Sequence, residues 1–162
     1  MKWLALAGIA LAGPVAAQQA EPDPHTRALG VFETICLRGA PDFSDSNQAF
    51  FGIGFEQQQG GYWIHPLSTI IGAVRSSEGD VQQVCSVGLE KGDTVQLAEA
   101  LPDVLAGVWE NAEMKRFAGS DGRSDIFMTE TDIGVKAAWV DMSEGDIAVL
   151  MTSFTRKGDD SQ

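Results

Sequence analysis

The chain is poor in the side chains that most catalytic chemistry needs. Its 162 residues hold two histidines, two cysteines, and eleven lysines and arginines against twenty-three acids. With so few soft ligands, a zinc site would have to rest on carboxylates, and no metal or cofactor is expected. No Gly-Lys-Ser phosphate loop, no His-Glu-x-x-His and no Ser followed three residues on by Lys occurs, so the sequence carries none of the signatures of the corresponding nucleotide, zinc-protease and serine-lysine chemistries. "FGIGFE" departs from a dinucleotide fingerprint at Gln57 and reads as a tight helix end. "VCSVG" lacks the first glycine of a nucleophile elbow, which leaves Ser86 an outward strand serine. Basic residues are dispersed, with Lys115-Arg116 and Arg156-Lys157 only as pairs, and the net charge is −12. Nucleic acid and anionic membrane surfaces are held by clustered Lys and Arg, so neither is an expected partner.

Long apolar runs are missing as well. Trp3 to Ala12 is apolar over about ten residues where a membrane span needs about twenty. With Met1 and Lys2 before it, and Val15 and Ala17 at the −3 and −1 positions of a cut before Gln18, residues 1–17 read as a secretory signal peptide. No cysteine stands at the cut to take a lipid. What remains is about 145 residues, enough for one domain: a flexible arm at 18–26, a single α+β domain at 27–155 and a disordered tail at 156–162. The expected location is the periplasm or the exterior.

Export decides how the two thiols are read, because two cysteines in an oxidising compartment pair by default. In "VQQVCSVGL" the alternate residues Val81, Cys85, Val87 and Leu89 share a strand face. Cys36 lies on or beside the helical stripe of Leu29, Phe32 and Ile35. A Cys36–Cys85 bridge would therefore pin a helix to a sheet. A redox site would want Cys-x-x-Cys, which is absent. A cysteine nucleophile with His65 and Asn47 or Asn111 is arithmetically available but carries no local signature.

The pattern predicts a first helix from Pro24 or Arg27 to Leu37. A short second helix in "SDSNQAFFGIGF" is capped by Ser44 or Ser46, and "EQQQGG" is a loop. Strands follow at 62–65, 68–75 and 81–89. A third helix is capped by Asp93 with Gln96 in a capping box, and carries Val95, Ala98, Leu101, Leu105 and Val108 as its stripe; Pro102 should kink or split it. Strands at 112–118, 123–130, 133–140 and 146–154 close the chain as a meander. Trp109 and Trp139 are assigned to the core, the latter on a face shared with Ile133, Val135 and Ala137. The fold class is α+β, an antiparallel sheet of about six or seven strands with helices packed on one side.

The acidic groups "SDGRSD" and "DMSEGD" lack the register of a calcium loop and are read as hairpin turns. Acid pairs such as Glu130 with Asp132, or Asp141 with Glu144, would suit glycoside hydrolysis only at a separation that the fold decides. The densest local chemistry is "GGYWIHP", in which Tyr62, Trp63 and His65 are the candidate ligand contacts, Trp63 and His65 facing one way and Tyr62 and Ile64 the other.

"VFETICLRGAPDFSDSNQAFFGIGF" followed by a strand "CSV" resembles small uncharacterised exported two-cysteine proteins of Gram-negative bacteria. These keep a Cys in the first helix, a short second helix ending "GF" and a second Cys on a strand. The resemblance covers about the first half of the mature chain. It implies export and a bridge, but carries over no catalytic residue. Two functional readings stand. One is a non-enzymatic periplasmic binding or accessory protein whose partner is an unknown protein or small ligand; the other is a small periplasmic hydrolase with His65 as general base.

Overall fold

A computed structural model describes residues 22–75, 82–110, 112–120, 123–143 and 146–157. The expected signal peptide, residues 18–21, the turn at 76–80 with Val81 of the strand expected after it, Asn111 and residues 158–162 lie outside the described residues, as do parts of the two acidic turns at 121–122 and 144–145. Among the described residues there are three helices and one eight-stranded antiparallel sheet. None of these helices is long and apolar enough to cross a membrane.

The first helix, α1 (Pro24–Val31), starts where its capping chemistry dictates. Pro24 occupies a first-turn position that needs no amide proton, and the Asp23 carboxylate accepts from the amides of His25 and Thr26. Residues 23–26, assigned by pattern to the arm, are thus held in the fold. α1 runs on without a break into a π-helical segment, Phe32–Leu37. The wider turn buries Phe32, Ile35, Cys36 and Leu37 together.

Helix α2 (Ser46–Gly52) has Asp45 at its N-cap, with no side-chain cap bond. Ser46, expected as a cap, is instead buried and donates its hydroxyl to the Ile35 carbonyl at 3.0 Å. A polar group drawn into the core is satisfied there rather than at the helix end. The helix stops as "FGIGF" suggests. Gly54 takes φ +89°, and the Phe55 amide turns back to the Phe50 carbonyl.

Helix α3 (Thr94–Val108) is capped by Asp93, whose carboxylate accepts from the Val95 and Gln96 amides. The reciprocal half of the expected capping box is filled differently: the Asp93 amide donates to His25 Nε2 at 2.9 Å, tying α3 to the start of α1. The buried row is Leu97, Leu101 and Leu105, flanked by Ala98, Val104 and Val108, while Val95 points outward at 62 % exposure. Pro102 lies inside this helix and does not split it. Proline fits helical φ and removes one hydrogen bond, a loss outweighed here by the leucines on either side of it.

The strands are β1 (Glu56–Gln57), β2 (Tyr62–Ile64), β3 (Ile70–Arg75), β4 (Gln82–Glu90), β5 (Lys115–Phe117), β6 (Ile126–Glu130), β7 (Gly134–Ser143) and β8 (Ile147–Arg156). The two-residue β1 falls in the segment expected as a loop and makes the count eight. Residues Arg156 and Lys157, expected in the tail, continue the order: Arg156 pairs with Gly134, and the Lys157 amide bonds Ile133. The spatial order is β1-β2-β3-β4-β8-β7-β6-β5, so two meanders meet along β4 and β8. These two strands share the longest buried alternation, as central strands should.

All three helices lie on one face. Cys85, Val87 and Leu89 of β4, Leu150 and Phe154 of β8, Ala138 and Val140 of β7, and Phe127 of β6 share it with the leucines of α3 and the apolar side of the π-helical segment.

Candidate functional site

Cys36 and Cys85 form a disulfide in the middle of this core, with Cα atoms 5.3 Å apart and both residues fully buried. Among the described residues no cysteine is free, which removes a thiol nucleophile. The bridge ties the π-helical segment to the central strand and fits an oxidising compartment.

The "GGYWIHP" strand separates its three candidates. Trp63 faces the helices at 6 % exposure; its indole Nε1 donates to Asn47 Oδ1 at 3.0 Å, and its ring stacks on Phe50 with centroids 6.0 Å apart. His65 presents an edge to Phe55 at 5.1 Å, and its Nδ1 accepts the Leu67 amide at 3.2 Å. That bond engages Nδ1 with the backbone. Among the described residues no hydroxyl or carboxylate is hydrogen-bonded to His65, and the geometry lends the hydrolase reading no support. Tyr62, 39 % exposed and paired with Ala73, faces the other way, onto the side of the sheet that bears no helix.

That side has an unusual composition. An antiparallel sheet with one solvated face alternates apolar inward with polar outward. Here the outward residues of the central strands between their charged ends are Ile71 and Ala73 on β3, Gln82, Val84, Ser86 and Gly88 on β4, and Ile147, Val149, Met151, Ser153 and Thr155 on β8, apolar or small in the middle and polar toward Gln82 and Thr155. On β7 and β6 they continue as Val135, Ala137, Trp139 and Met128. Of the charged side chains of the same parity, Glu56, Arg75, Glu90, Glu130 and Lys115 stand at strand ends or on edge strands, and Asp141 stands within β7 opposite Val149. Glu130 and Lys115 pair with each other at 3.1 Å. The hydrogen bond to Glu130 raises the Lys115 pKa and lowers that of the carboxyl.

The face is not uniform. Its β7 end is roofed by Arg123, whose guanidinium lies 5.6 Å from the Trp139 ring and whose Nε bonds Asp141 at 3.3 Å. Trp139 is consequently only 8 % exposed, and its Nε1 is buried with no hydrogen-bond partner among the described residues. Beside it lies a hollow of about 430 Å³ lined by Ile71, Ser86, Asp141, Ile147, Val149 and Met151, with the Ile147 side chain lying against Gly88.

Trp139 is thus buried as expected, but on the opposite face. The core side of β7 belongs to Ala138 and Val140, and a shift of one residue inverts a strand. The open face went unassigned from sequence, although one signal for it was present: "IAVLM" at 147–151 is apolar at both parities. A second cleft, about 480 Å³, lies between the first half of α3 and β5–β6. Its two arginines are engaged, Arg116 with Asp125 and Arg123 with Asp141. Among the described residues no group of three or more His, Cys, Asp or Glu is placed to hold a metal ion.

Fold and surface together define a small, disulfide-stapled α+β protein whose sheet carries helices on one face and, among the described residues, a largely apolar, half-buried surface without a helix on the other. No family model, curated protein or solved structure matches the chain.

Proposed function

We propose that the protein is an exported, non-enzymatic binding or accessory protein of the periplasm, and that it engages its partner through the uncovered face of the sheet. The observation that carries the reading is the row Ile71, Ala73, Val149 and Met151, apolar side chains aimed away from the helices around the hollow. Contiguous apolar surface of this kind is seldom left in water without a binding role. The buried Cys36–Cys85 bridge supports the compartment, and the run from Met1 to Ala17 supports the route to it.

The test is the intact mass of protein recovered from the periplasm of a Gram-negative host, before and after alkylation in denaturant. A chain beginning at Gln18, two hydrogens lighter than the dithiol and refusing the alkylator, is the expected result. Protein retained in the cytoplasm with its leader uncut, or two alkylated thiols, would remove the export reading.

A further inference from the structure

We infer that the open sheet face is the seam of a homodimer, in which a second copy of this chain lays the same face across it. The inference rests on the reading of that face as the binding surface, and names its occupant. Three observations select a second copy.

The first is area. Strands β2, β3, β4, β8 and β7 present a patch of about 24 by 26 Å at strand and residue spacings of about 4.8 and 3.4 Å, or roughly 600 Å² per copy. Two copies would hide about 1,200 Å², the low end of the range for specific interfaces. A small molecule fits the surface less well. The hollow is open to solvent on one side, whereas ligand pockets typically enclose about 70–90 % of their ligand.

The second is charge. The chain carries −12, yet the centre of the face holds only Asp141, already bonded to Arg123 at 3.3 Å. A basic partner would seek the acids, and the other acids of this side, Glu56, Glu90 and Glu130, stand only at its margins. Two acidic copies can meet only where neither brings an uncompensated charge into the seam, and this face is such a place.

The third is the state of the edges. Strand β1 has two residues, and β5 has three with Lys115 and Arg116 among them. Short and charged edges resist strand addition, which leaves face-to-face packing, with sheets about 10 Å apart, as the available mode of β association.

The experiment is sedimentation equilibrium of the disulfide-bonded mature chain from 1 to 200 µM, at 0.15 and 0.5 M NaCl. A dimer with micromolar Kd is expected. It should tighten with salt, because the Debye length falls from about 8 Å and the repulsion between the acidic rims is screened. Ser86→Lys replaces an outward, already polar residue at the hollow with a long cation and should weaken dimerisation at least tenfold. Val149→Asp should do the same, whereas Val95→Asp on the exposed side of α3 should leave it unchanged. Circular dichroism and the oxidised mass verify folding of each variant.

A wild-type chain that stays monomeric at 200 µM, or a dimer that survives both face substitutions, overturns the inference. An apolar fluorescent dye separates this failure from that of the reading beneath it. A monomer that binds the dye, and loses it in Ser86→Lys, rejects the second copy and keeps the face as a binding surface. A monomer that does not bind the dye rejects both.

Discussion

Opening the Cys36–Cys85 bridge should remove a large part of the fold's stability. The bridge closes a loop with a sequence separation of 49 residues; in the chain-entropy treatment, denying that loop its freedom in the unfolded state is worth roughly 4 kcal/mol. Domains of this size are stable by about 5–15 kcal/mol, so reduction should leave a protein near the margin. Both sulfurs are fully buried; a thiol reductant should therefore act slowly on the native protein and quickly in denaturant. The assay is urea unfolding of the oxidised and reduced wild type and of the Cys36→Ala, Cys85→Ala double variant. At a slope of about 2 kcal/mol per molar urea, reduction should lower the midpoint by about 2 M. The double variant should lose more, because it also truncates two core side chains, whereas the reduced protein keeps its sulfurs. A reduced protein whose unfolding free energy falls by less than about 1 kcal/mol would refute the reasoning, for the chain would then hold α1, the π-helical segment and β4 together without the bridge.

Two smaller perturbations probe other joints. A Cβ at Gly72 would overlap the ring of Phe50, which is fully buried and packed on Trp63 and Phe55, so Gly72→Ala should cost about 1–3 kcal/mol, read as a lower urea midpoint at unchanged slope. At the N-terminus, the hydrogen bond from the Thr26 hydroxyl, and next the His25 amide, lower the Asp23 pKa below its usual 3.8. A depressed carboxyl contributes stability that is present above its unfolded value and lost as pH falls through its folded value. Thermal melts below about pH 4 should therefore fall less steeply in Asp23→Asn than in the wild type, and equal slopes would count against the cap.

How much of this was legible in the residues differs from element to element. Asp93 as a cap, Gly54 as a helix end and the inward face of Cys85 follow from short-range rules, and each stands in the structure. Local rules erred where a group has more than one way to be satisfied. Ser46 could cap a helix or bond a core carbonyl, and burial chose the second. Strand β7 offers apolar residues at both parities, so alternation could not say whether Trp139 or Ala138 and Val140 faced the helices. The candidate site suffers most from this. Tyr62, Trp63 and His65 are adjacent in sequence, but the pleat sends Tyr62 to the bare face, while Asn47 and Phe50 take up Trp63 and the Leu67 amide engages His65.

By itself the sequence determined the capped start of α3, the strands other than β1, the pairing chemistry of two thiols and the scarcity of catalytic groups, since these depend on side-chain type and on spacing over a few residues. Only the tertiary structure decided that β4 meets β8, that the described helices lie on the Cys85 side, and that Ile71, Val149 and Met151 are left half-buried on the side without a helix. Those outcomes depend on contacts between residues tens of positions apart. Which face of a two-sided apolar strand is covered is settled only when the whole chain competes for the same core.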